Sequence, residues 1–160
     1  MNLVRRLGLL ASIAALVSGC ATAPTPQTIT DTLAQRADLS TLNTLVLQAG
    51  LADTLRSAGP FTVFAPNNEA FKAVPAKTMA ELAADKTKLA ALLNFHVLPG
   101  KAMAADVKNG NQKSVNGAPL ALAKAGSTVT VEDAVVLQAD VPVSNGVVHV
   151  VDRVLMPPKR

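Results

Sequence analysis

Near its C-terminus the chain runs GVVHVVDRVL, Gly146 to Leu155, and no other stretch restricts the possible folds as strongly. Successive side chains of an extended strand point to opposite faces, so Val147, His149 and Val151 share one face and Val148, Val150 and Val154 the other. Both faces are apolar. Such a strand belongs in the middle of a sheet covered on both sides, which demands further strands beside it and packed layers above and below.

The rest of the chain supplies both. Thr28 with Asp31 three residues later forms a capping box, and Leu33, Leu39, Leu42, Leu45, Val46 and Ala49 follow at spacings of three and four up to Gly50, predicting two or three short helices. PFTVFAP, Pro60 to Pro66, is a bounded β-type run, after which Asn67 can cap a helix carrying Glu69 in its first turn and Phe71 on its inner face. Thr78 with Glu81 predicts a second capping box, and Asp85 an N-cap before Leu89, Leu92 and Leu93. Beyond residue 110 the pattern is β. QKSV and PLALAKAG flank Asn116-Gly117, the dipeptide suited to a type I′ hairpin, and STVTVED, AVVLQADVPV and NGVVHVVDRVLM follow. Helices first and strands afterwards indicate an α+β domain.

Two histidines, His96 in LLNFHVLPG and His149 in the closing run, are the obvious candidates for chemistry. An unpaired ring nitrogen in an apolar interior costs about 1–3 kcal/mol, so a buried imidazole is expected to bond to backbone or a polar side chain. Catalytic zinc generally takes three protein ligands; here a carboxylate such as Asp106 or Asp152 would have to complete the set. No GxSxG turn, Walker loop or dinucleotide glycine loop occurs. A Ser-His-Asp site assembled from distant residues is the remaining catalytic alternative. The ligand count favours both histidines, His149 above all, as structural; no metal, cofactor or catalytic residue is expected. Asp152 and Arg153 suggest an ion pair at the strand end, and Met79, Met103 and Met156 read as gap-fillers.

Charge excludes one class of partner. The formal net charge is +4, but removing Arg5 and Arg6 leaves 13 basic residues against 11 acidic ones, and the remaining lysines alternate with acids and turns. Nucleic-acid binders cluster Lys and Arg and, for single strands, add aromatic platforms. The only aromatic residues here are Phe61, Phe64, Phe71 and Phe95.

Residues 1–19 read as an export signal: Arg5 and Arg6, an apolar run from Leu7 to Val17 too short to span a bilayer, then Ser18 and Gly19 before Cys20. VSGC resembles the bacterial lipobox, and that resemblance implies cleavage before Cys20 and acylation of its thiol and new amino group. Several acyl chains on one residue would anchor the protein firmly in a membrane. Residues 20–28 then form a Pro/Thr-rich tether, about 25 Å for eight residues at ~3.1 Å each, and residues 29–157 the domain. By the same resemblance, Ala21 in a Gram-negative host implies sorting to the outer membrane, facing the periplasm or the cell surface; otherwise the chain is secreted.

PFTVFAPNNEAF, LLNFHVLPG and NGVVHVVDRVLMPP, with VNGAPLAL between them, together resemble the fasciclin domain family over about residues 28–157. The resemblance implies a twisted β-sheet wedge with helices packed mainly from the N-terminal half, and a secreted or surface-attached protein acting in adhesion or matrix attachment by binding a protein partner. It also makes the middle box, Phe95 and His96, the candidate contact residues; in animal members this region is associated with integrin binding. Many members carry Tyr-His where this chain has Phe-His, so a contact through the tyrosine hydroxyl is missing here. The alternative function is a periplasmic carrier or sensor of a small apolar ligand, held in a gap between helices and sheet.

Overall fold

The computed structural model describes residues 27–157. The expected export signal and Cys20 lie outside them. Thr28 caps α1 (Ile29–Gln35) through the reciprocal bonds of a capping box with Asp31. A 3-10 turn (Ala37–Leu39) leads into α2 (Ser40–Ala49), which ends at Gly50 in the left-handed conformation, φ 72°. After α3 (Ala52–Arg56) comes β1 (Phe61–Pro66), followed by α4 (Asn68–Lys72), capped by the Asn67 side chain. α5 (Ala76–Ala84) and α6 (Lys86–Phe95) complete the helices, and Asp85 caps α6 through the amides of Thr87 and Lys88.

The strands are β2 (Val97–Pro99), β3 (Gly110–Lys113), β4 (Pro119–Ala125), β5 (Thr128–Val131), β6 (Ala134–Val143) and β7 (Gly146–Val151). They form one sheet in the order β2-β1-β7-β6-β5-β4-β3. Every neighbouring pair is antiparallel except β1 with β7, which run parallel although about eighty residues separate them along the chain. The sheet curls far enough for its ends to meet: the Val115 amide beyond β3 donates to the Val97 carbonyl of β2 at 2.8 Å. The architecture is the expected α+β wedge, with its helices drawn from the N-terminal half.

Two apolar cores lie on opposite faces of the central strands. Between helices and sheet, Leu33, Leu42, Val46, Leu89, Leu92 and Leu93 pack on Val63, Ala65, Val148 and Val150. Inside the curl, Phe64, Phe95, Leu98, Leu120, Leu122, Val131 and Val151 pack together. β1 and β7 divide their side chains between these cores by strict alternation, and all six residues of β7 are buried.

Three local expectations are corrected. Thr78 does not start a helix: α5 begins at Ala76, because Pro75, at φ −54°, presets the turn two residues earlier. Asn116-Gly117 does not form a two-residue type I′ turn. Only Gly117 has positive φ, and the loop runs from Ser114 to Ala118, closed by the Ser114 amide and hydroxyl on the Ala118 carbonyl. Asp152 forms no ion pair with Arg153; its carboxylate accepts the Val135 amide at 2.7 Å, extending the β6–β7 ladder. Of the methionines, Met79 packs against the helical core, whereas Met156 is 45% exposed.

The parallel pair begins at Phe61 opposite Gly146, where the two backbones approach so closely that a Cβ on Gly146 would overlap the Phe61 carbonyl group. The obstacle is backbone, which cannot rotate away. Gly146→Ala is therefore expected to destabilise the domain by about 3 kcal/mol, read as a lower urea midpoint at unchanged slope, while substitution of exposed Lys86 at the start of α6, Lys86→Ala, moves it by less than about 0.5 kcal/mol.

Candidate functional site

Both imidazoles are interior, each about 2% exposed. α6 ends at His96, whose Nδ1 lies 2.8 Å from the Leu92 carbonyl and whose Nε2 accepts the Leu155 amide at 2.9 Å. The carbonyl bond requires the proton to be on Nδ1. His149 has the opposite tautomer: its Nδ1 accepts the Asp140 amide at 3.1 Å, and Nε2–H donates to the Ala102 carbonyl at 2.8 Å. Its ring stacks on Phe64, its neighbour in the parallel pair, with centroids 5.5 Å apart. Each ring thus joins segments distant in sequence. His96 fastens the tail after β7 to the end of α6, and His149 fastens the loop after β2 to the β6 bulge, where Asp140 turns through φ 55°.

These bonds decide what the rings can do chemically. Neither has a nitrogen free to take a proton from a substrate or to bind a metal without breaking a backbone hydrogen bond. Among the described residues, no three His, Cys, Asp or Glu side chains come together. Phe95, the other half of the candidate contact pair, is 1% exposed and packs inside the curl. A partner touching this segment would meet its surroundings, not these two side chains. The gap between helices and sheet, lined by Leu42, Val46, Val63, Leu93 and Val97 among others, measures only about 10 Å³. That is at the lower limit for one water, and far below the volume of a small-molecule site.

Sequence reasoning missed three polar side chains that organise this end of the fold. Thr62, fully buried, donates its hydroxyl to the Gly100 carbonyl and accepts the Ala102 amide, both at 2.8 Å. The Asp140 carboxylate accepts the Ala104 amide at 2.7 Å. Asn145 accepts the Ile29 amide and donates to the Leu55 carbonyl, tying α1 and α3 to the β6–β7 turn. The signal for Thr62 was present, a hydroxyl inside the apolar run PFTVFAP. For Asn145, no pattern among neighbouring residues marks its long-range role.

Burial holds the His96 imidazole down to about 4 from its ordinary 6.5, against the opposing pull of the Leu92 carbonyl; burial also lowers His149, opposed by the Ala102 carbonyl and Asp140. The unfolded chain then binds protons more readily than the folded one below pH 6.5, so stability is full above that pH and falls as pH drops toward 4. From His96 alone, roughly 2 kcal/mol is expected to be lost between pH 7.5 and 5, before most carboxylates titrate. Urea midpoints across that range check this, with His96→Gln expected to be less stable at pH 7.5 and to show a visibly shallower slope. His149→Ala is expected to lower the melting temperature as well, since it leaves the Asp140 amide and Ala102 carbonyl unpaired.

Comparison with known proteins gives a consistent result. The family model for the fasciclin domain matches residues 37–157. The Synechocystis protein sll1483 is 44% identical over 146 residues, 90% of this chain and 81% of its own length. Cell surface glycolipoprotein MPB83 of Mycobacterium bovis is 37% identical over 108 residues, 68% of this chain but 48% of its own. Among solved structures, a FAS1 domain pair from the insect cell adhesion molecule Fasciclin I superposes with a TM-score of 0.59 at 25% identity, covering 76% of this chain and 46% of that one. This chain thus spans about half of the latter two proteins. With the matching model extending from the 3-10 turn before α2 to the tail that His96 holds, the chain belongs to the fasciclin domain family.

Proposed function

We propose that this protein is a lipid-anchored fasciclin-domain protein of the bacterial envelope that acts in adhesion or surface attachment by non-covalent binding to a protein or matrix partner, and that it is not an enzyme. The observation that carries the reading is its kinship with a cell surface glycolipoprotein and with a cell adhesion molecule. The VSGC pattern ending at Cys20 supports the anchor, and no helix among the described residues is long and apolar enough to cross a membrane. Both imidazoles are committed to backbone bonds, which supports binding over catalysis. The narrow gap beneath the helices argues against carriage of an apolar ligand there. What remains for recognition is the outer surface.

Deleting the gene is expected to reduce attachment of the host cells to a surface, and Cys20→Ala to move the protein from the membrane to the soluble fraction with a similar loss. Crystal-violet biofilm assays and membrane fractionation measure the two effects. Unchanged attachment in both strains would remove this role.

A further inference from the structure

Where the chain enters the domain, a cleft of about 530 Å³ opens between the start of α1, the α3–β1 loop, the β6–β7 turn and the residue after Gly100. Its size falls within the range of small-molecule sites. Two cations line it, Arg56 and Lys101, together with Ser144 and Asn145, while Pro60 and Val143 give it an apolar wall. Among the described residues Lys101 forms no ion pair, and Arg56 has only Asp53, at 3.9 Å, with that carboxylate almost fully exposed. Nearby Asp31 also feels the Arg56 charge, but makes no ion pair with it, and its Oδ2 accepts the amide and hydroxyl of Thr28.

The cleft is preorganised by the same polar groups that hold this end of the fold together. Lys101 sits between Gly100 and Ala102, and the backbone of both is clamped by buried Thr62, with His149 adding a bond to the Ala102 carbonyl. The Arg56 guanidinium is held through Nε by the hydroxyl of buried Thr30 at 3.1 Å, and of its terminal nitrogens Nη1 has only the 3.9 Å contact with exposed Asp53. Asn145, tied to Ile29 and Leu55, fixes the floor. Donors held in place before a ligand arrives lose little entropy on binding. Guanidinium, ammonium and hydroxyl offer three donor groups, which suits the three acceptor oxygens of a phosphate monoester.

We propose that this cleft binds a phosphate group carried on a small apolar-edged molecule, with Arg56 and Lys101 as its charge contacts and Ser144 as a hydrogen-bond donor. The phosphate can come from a free solute or a lipid headgroup. The full chain carrying Cys20→Ser, titrated with glycerol 3-phosphate, is expected to give saturable amide shifts at Lys101, Ser144 and Asn145 that glycerol does not produce. Arg56→Gln with Lys101→Gln weakens binding by at least about tenfold while the domain stays folded, because both side chains lie at the surface and the Thr30 hydroxyl keeps its bond to Thr28; Lys77→Gln with Lys86→Gln, the same charge change outside the cleft, leaves binding intact. Sedimentation with phosphatidylglycerol against phosphatidylcholine vesicles identifies the source. Glycerol phosphate binding accompanied by vesicle binding that needs the same two cations assigns a headgroup, and glycerol phosphate binding alone assigns a solute. No saturable shift in the millimolar range, vesicle binding without it, or equal weakening by the Lys77 and Lys86 pair would overturn the proposal.

Discussion

The burial of all six residues of β7, on both faces and along both edges, is the constraint to which the rest of the structure answers. A strand without a solvent face needs two cores, and the curled sheet supplies one while the helices supply the other. Its edges need two partners, so β6 returns antiparallel through a tight turn and β1 is brought alongside in parallel from the far end of the sequence. The close approach at Phe61 and Gly146 locks that register. A slip of one residue would send every valine to the wrong core.

Polar groups are placed where these layers would otherwise come apart. Thr62, His96 and His149 are buried among apolar side chains, and among the described residues no buried side-chain nitrogen or oxygen lacks a hydrogen-bond partner. Each of them reaches a segment that lacks the hydrogen bonds of a regular element: the loop after β2, the bulged part of β6, the tail after β7. Backbone polar groups in such segments must find partners if they are covered. The imidazoles serve because a neutral ring offers one donor and one acceptor in a rigid frame, matching one carbonyl and one amide.

This division of labour bears on function. The two imidazoles are spent on holding the architecture, and side chains free to meet another molecule lie at the surface, some of them where the chain enters the domain. There Arg56 and Lys101 flank a cleft whose floor is the same turn that starts β7. The clamp that steadies the loop after β2 also positions one of these cations. In that region stability and recognition draw on shared contacts.

Much of this was legible in the order of residues. Apolar residues on both faces of GVVHVV placed β7 at the centre of a sheet, the capping residues Thr28, Asn67 and Asp85 marked three helix starts, and the three sequence boxes carried the family. These signals are local, arising between residues a few positions apart, and packing reinforced them. Where a neighbour competed, the local signal lost: Pro75 displaced Thr78 as the start of α5, and the Val97 carbonyl drew Val115 into a longer loop than Asn116-Gly117 would form alone. The parallel partner of β7, the interior placement of Phe95, the partners of each imidazole and the convergence of Arg56 with Lys101 were decided only by the tertiary structure. Each depends on which distant segments are brought together, and that follows from closing two cores around one strand, a constraint no short window of sequence contains.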